Sequence, residues 1–254
     1  MKKASFALFL AGLIFAATTS AQTSANLAAS SAASSLPAAS GAAAAELAMR
    51  PWEYGPFFQA GKGVGDRGSY KFSSAGIRLG KVITPPVGPG FLRGQFEYAG
   101  ELMPYWQAFT PAPHQQTVKY RDPASGLIFS YVANFGGGTF TGFSLTPIIL
   151  RWNFQPHGRI VPWFQAAGGL IYTTHKFPPD VLVPHGVPGG TSVFNFSPQG
   201  GAGVQYFLSP THSLMFSVNG IHISSASLGD KNPGVNASVQ FQIGYTWWSR
   251  KPNP

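Results

Sequence analysis

The end of the chain sets the tightest constraint on its fold. Between Ser238 and Trp248, the residues Val239, Phe241, Ile243, Tyr245 and Trp247 alternate with Ser238, Gln240, Gln242, Gly244 and Thr246. A period of two sends successive side chains to opposite faces of a β-strand, so this segment has one large apolar face and one polar face. The pattern recurs in 90–102, where Leu92, Phe96, Tyr98 and Leu102 oppose Arg93, Gln95, Glu97 and Glu101. It recurs again in 192–208, where Phe194, Phe196, Val204, Tyr206 and Leu208 oppose Asn195, Ser197, Gln199 and Gln205.

Composition says where the apolar faces go. Only 10% of the residues are charged, against about 25% in soluble domains. The 21 Phe, 9 Tyr and 6 Trp have few charged neighbours to carry them in water, and a bilayer offers an apolar partner. No stretch beyond the N-terminal segment approaches the roughly 18 apolar residues of a spanning helix, so membrane crossing falls to strands. Segments rich in β-branched and aromatic residues, cut by Gly/Pro clusters, predict strands near 52–62, 69–83, 90–102, 142–154, 160–173, 192–208, 213–225 and 237–248. The second and fifth alternate poorly. The fold class expected is all-β: an eight-stranded antiparallel transmembrane β-barrel, preceded by a signal peptide and a disordered linker. A soluble β-sandwich shares the alternation, but the low charge, the leader and the five large apolar residues on one face of the last strand favour the barrel.

That leader is Met1–Ala21, with Lys2 and Lys3, an apolar centre from Phe6 to Ala17, and small residues Thr19-Ser20-Ala21 before a cut. An Ala/Ser-rich spacer follows over 22–50 without an apolar stripe. The barrel is expected over 51–249, with 250–254 as a tail. With the N-terminus in the periplasm, the inward gaps 84–89, 155–159 and 209–212 are short. The outward gaps 103–141 and 174–191 are long, the usual outer-membrane pattern, although the first outward gap, 63–68, is short.

Several function classes are excluded. The chain has no Cys, which removes disulfides and thiolate metal sites. The formal charge of +9 comes from scattered residues with no Lys/Arg run, which argues against nucleic acid and suits anionic lipid headgroups. His114, His157, His175, His185 and His212 lack metal-ligand spacing. Gly136-Gly137-Gly138 is not followed by the Lys-Ser/Thr of a phosphate loop. No metal or cofactor is called for. Glu97, Glu101 and Arg93 read as parts of a filled polar lumen.

The seventh strand carries the chemistry. Leu214, Phe216 and Val218 share a face with Gly220, His222 and Ser224. An apolar, lipid-facing stripe thus turns polar at its outer end, and polar groups exposed to lipid are costly enough to suggest function. Residues i and i+2 of a strand project together. An imidazole beside a hydroxyl can take its proton and make it a nucleophile. The spacing alone fits equally an interfacial His and an ordinary strand-end Ser.

The segment from His222 to Asn236 resembles the C-terminal motif of the lipid A 3-O-deacylase family, His-x-Ser-Asn-Ala-Gly followed by Asn-x-Gly-x-Glu. The resemblance implies an eight-stranded outer-membrane barrel that removes an ester-linked acyl chain from lipopolysaccharide. It implies His222 as base and Ser224 as nucleophile. Asn236 stands at the family's Glu position and is expected to orient His222, and backbone N–H groups of Ala226 and Ser227 are expected to hold the oxyanion. Ser225 and Ser227 depart from the family's Asn and Gly. Asp230 is the only carboxylate after Ser224. The expected partners are outer-leaflet lipid A and membrane lipids, in the bacterial outer membrane. The alternative is a non-catalytic structural or adhesive barrel whose 103–141 loop binds a surface partner.

Overall fold

The computed structural model describes residues 47, 51–112, 114–122, 124–135, 137–177, 192–225 and 236–249. Eight of its strands close a barrel: β1 (Trp52–Gly63), β2 (Lys71–Val82), β3 (Gly94–Phe109), β6 (Thr139–Phe154), β7 (Ile160–Phe177), β8 (Ser192–Ser209), β9 (His212–His222) and β10 (Ala237–Trp248). Every neighbour is antiparallel, and β1 closes the ring on β10. The closure is pinned by Ser249, whose N–H donates to the Trp52 carbonyl at 2.9 Å and whose Oγ accepts from the Trp52 N–H at 3.0 Å. The remaining strands, β4 (His114–Arg121) and β5 (Ile128–Phe135), pair as a separate hairpin within the β3–β6 connection. The barrel strands run from 11 to 18 residues, and about 9–11 suffice to cross a bilayer.

The faces are inverted relative to a soluble protein. Phe58, Ile77, Leu79, Phe143, Ile148, Phe164, Phe241 and Ile243 point outward and are exposed, whereas Gln59, Arg78, Glu97, Gln165, Asn219 and Gln240 are buried in the lumen. At mid-barrel, Arg78 donates from Nε to Glu53, from Nη2 to Glu97 at 2.8 Å and from Nη1 to Glu101 at 3.1 Å. Arg151 lies 3.6 Å from Glu53 and stacks 3.9 Å from the Trp163 ring centroid. Gly80 makes room for this cluster, since a Cβ there would come within 2.8 Å of both Glu53 and Glu97. The lumen is therefore a packed polar core.

Aromatic side chains close the lumen at both ends. At the long-loop end, Phe72, Trp106 and Phe140 surround Phe177 at centroid distances of 6.3, 5.5 and 5.2 Å. At the short-turn end, Phe207 stacks on Trp248 at 5.3 Å, in a cluster with Val82, Val161 and Leu47. The Leu47 carbonyl also accepts from Gln95 Nε2 at 2.9 Å, so packing reaches back into the expected spacer. The expected leader, the rest of that spacer except Leu47, and the tail lie outside the described residues.

Two neighbouring strands, β3 and β6, carry bulges that shift the register. Between Met103 and Trp106 in β3, and between Leu145 and Ile148 in β6, a bulge inserts a residue and reverses the in/out parity of that strand. The β3 bulge is why that strand runs on to Phe109 instead of stopping at Leu102, whereas β2 keeps its even positions inward throughout and alternates poorly because that inward face mixes Phe72 and Val82 with Ser74, Arg78 and Gly80. The start of β3 also differs from expectation. Gly90–Leu92 form a 3-10 turn, with Gly90 at φ 51°, and the strand begins only at Gly94. Arg93 consequently lies exposed on that turn and is not a lumen residue.

Candidate active site

In β9, Ser213, Met215, Ser217, Asn219 and Ile221 are buried, Phe216, Val218 and Gly220 are exposed, and His222 is half-buried on the outward side. The same parity continues beyond the strand: Ile223 is buried, Ser224 half-buried and Ser225 buried. Backbone pairing holds this extension. Ser224 N–H donates to Phe196 O at 2.9 Å, Phe196 N–H donates back to Ser224 O at 2.7 Å, and Ile223 N–H donates to Asn236 O at 2.8 Å. His222 and Ser224 thus share the membrane-facing side at the long-loop end, with Cα atoms roughly 7 Å apart from the strand rise.

Asn236 goes the other way. It is buried with Ser238 and Gln240, and its Oδ1 accepts from Arg67 Nε at 2.8 Å. Arg67 lies in the 3-10 turn Gly65–Arg67 between β1 and β2, is buried, and also donates from Nη1 to the Tyr70 hydroxyl at 3.1 Å. Burial raises the Tyr70 pKa above its ordinary value, keeping the acceptor neutral. The orienting role expected of Asn236 therefore needs correction: strand parity turns it inward to a guanidinium, on the side opposite His222. Arg67 was not singled out from the sequence, because a lone Arg in a short turn carries no pattern. Ser225 also faces inward, and its buried hydroxyl has no hydrogen-bond partner among the described residues. Ala226, Ser227 and Asp230 lie outside the described residues.

The wall beside His222 is unusually smooth. In register around the barrel, Gly168 on β7 aligns with Pro198 on β8, and His222 on β9 with Ala237 on β10. One row toward the membrane centre come Ala166, Gly200, Gly220 and Val239. Of these, Pro198, Gly200, Gly220, Ala237 and Val239 line a shallow groove of about 450 Å³ beside His222. Two positions further along the same strands, Ala202, Val218 and Phe241 line a second apolar hollow of about 580 Å³. Leu170 and Phe196 stand above the groove, in register with Ser224.

The family model for lipid A 3-O-deacylase (PagL) matches residues 91–246. The chain belongs to the lipid A 3-O-deacylase family. It is accordingly an outer-membrane barrel, and the match spans β3 to β10 with both His222 and Ser224 inside it. No curated protein sequence matches the chain. Among solved structures, the outer membrane enzyme PagL is 16% identical, with 75% of this chain and 97% of that chain covered and a TM-score of 0.37. Neisserial surface protein A is 14% identical, with 79% and 97% covered and a TM-score of 0.42. The N-terminal β-barrel domain of OprF from Pseudomonas aeruginosa is 11% identical, with 78% and 98% covered and a TM-score of 0.38.

Proposed function

We propose that this protein is an outer-membrane esterase that removes an ester-linked acyl chain from lipopolysaccharide through Ser224 and His222. The observation that carries the reading is the shared outward side of His222 and Ser224, directly above a groove of small residues on the lipid face. The acyl chain lies in that groove, where glycine and alanine leave room that Phe, Leu and Ile occupy elsewhere on the wall.

Ser224 Oγ attacks the ester carbonyl carbon while His222 takes the hydroxyl proton. The tetrahedral intermediate collapses as the bond to the sugar oxygen breaks, and His222 returns the proton to that oxygen. The acyl group is left on Ser224. Water, deprotonated by His222, attacks the acyl-Ser224 ester and frees a fatty acid. Backbone N–H groups at Ala226 and Ser227 hold the oxyanion in this scheme. Asn236 acts through the Arg67 contact, keeping β10 beside the Ile223 backbone, and no carboxylate is assigned to the imidazole.

The assignment is tested with a long-chain fluorophosphonate, which esterifies an activated serine. Peptide mass spectrometry should find the adduct on Ser224, and His222→Ala should abolish it. An adduct on another serine, or labelling undiminished in His222→Ala, overturns the pair.

A non-catalytic, adhesive reading draws on one feature, the β4–β5 hairpin, on which Leu127, Ile128, Phe129 and Val132 are all at least half exposed.

A further inference from the structure

Resting on the proposed esterase reading, we propose that Lys62 and Lys71 form a site for a phosphate group on the headgroup of the glycolipid whose ester reaches Ser224.

The two lysines are directly opposed across β1 and β2. Both are exposed, and strand parity turns both to the outside of the barrel. Like charges directly opposite on one sheet face repel, and among the described residues neither lysine has an ion-pair or hydrogen-bond partner. An anion seated between the ammonium groups would reverse the sign of that interaction, and a phosphate carries enough charge and oxygen atoms to accept from both.

Their place on the barrel selects the anion's source. Lys62 pairs with Val239, and Val239 with Gly220. The lysines therefore share the row that floors the groove, one row from His222. Adjacent strands lie about 4.8 Å apart, which puts Lys62 roughly 10 Å around the wall from Gly220 and Lys71 one strand further. A phosphorylated sugar headgroup can bridge such a distance while its acyl chain lies in the groove. Anionic groups near a bilayer surface attract lysines by an amount equivalent to roughly fivefold in affinity per residue.

The test uses the full-length protein in zwitterionic nanodiscs, carrying Ser224→Ala so that binding is read without turnover. Parent and Lys62→Gln/Lys71→Gln are titrated with phosphorylated lipid A, dephosphorylated lipid A and phosphatidylglycerol. The expected result is that the double variant binds phosphorylated lipid A at least about tenfold more weakly. Dephosphorylated lipid A should bind parent and variant alike. Equal binding of phosphorylated lipid A to parent and variant overturns the site, as does phosphatidylglycerol binding the parent as tightly as phosphorylated lipid A does. A parent that never hydrolyses lipopolysaccharide but shows the lysine-dependent binding loses the esterase reading and keeps the site. In an active background, the double variant should raise KM and leave kcat unchanged.

Discussion

Arg78 donates through Nη2 to Glu97 Oε1 at 2.8 Å in the middle of the lumen, while Asn153 Nδ2 donates to the other Glu97 oxygen, also at 2.8 Å. The same guanidinium serves Glu53 and Glu101. Removing it leaves those three carboxylates with Arg151 as the cation the structure places beside Glu53 and Glu97. Breaking a buried charge cluster by deleting one partner costs about 3–5 kcal/mol. Arg78→Ala should therefore lower the urea midpoint of the folded barrel, followed by the gel shift of unheated samples. An unchanged midpoint would mean that the cluster does not hold the wall together.

The groove beside His222 gives a steric test. A Cβ at Gly200 or Gly220, both lining the groove, meets nothing nearer than 3.8 Å. Leucine at either position starts from an unobstructed Cβ and projects into the groove. Each variant should fold and lose at least about tenfold in acyl release, the scale on which misfit in an apolar site discriminates. Gly142→Leu is the contrast, because its Cβ would lie 2.1 Å from the Tyr172 carbonyl oxygen, and it should fail to fold. Full activity in the folded groove variants would place the acyl chain elsewhere.

The alternation in 238–248 made β10 and the barrel legible, because lipid outside and polar lumen inside impose one rule on both faces. That rule fails where a bulge reverses parity, as around Pro104 in β3 and Pro147 in β6, and no side-chain pattern marks those slips. It fails again at the long-loop end, where Phe72, Trp106, Phe140 and Phe177 are apolar yet face the lumen and plug it. The outward side of His222 and Ser224 was legible because they continue, as polar residues, an apolar stripe. The inward turn of Asn236 was not, since one residue ahead of a strand its side depends on where pairing begins. The Lys62–Lys71 pair was hidden because register across two strands is invisible in either alone.

Arg67 and Asn236 should behave as one unit. Asn236→Ala strips a partner from a buried guanidinium, at a cost of about 1–3 kcal/mol. Arg67→Ala, which also loses the Tyr70 contact, should cost at least as much, and the double variant should cost less than the sum of the two, as expected for residues coupled through a shared contact. Thermal melts of the folded band check this. Additive losses would mean that the two residues act independently.

Asp122 offers a pH handle on the β4–β5 hairpin. Its carboxylate accepts from the Ser125 hydroxyl and from the N–H groups of Ala124 and Ser125, and these bonds hold its pKa below the ordinary Asp value. A depressed carboxylate stabilises the turn above its unfolded pKa, and the contribution fades as pH falls through the folded one. The amides of residues 124 and 125 should exchange faster with solvent below that point, relative to the rate expected from pH alone. Asp122→Asn should remove the transition. A pH-independent turn would mean that these bonds do not order it.

The most direct measurement is acyl release from lipopolysaccharide by the folded protein, followed by mass spectrometry of the lipid A product and the freed fatty acid. The account expects loss of one ester-linked chain with the parent, and none with Ser224→Ala or His222→Ala, both still folded. Intact lipopolysaccharide after incubation with the folded parent, or undiminished release by either variant, would contradict it.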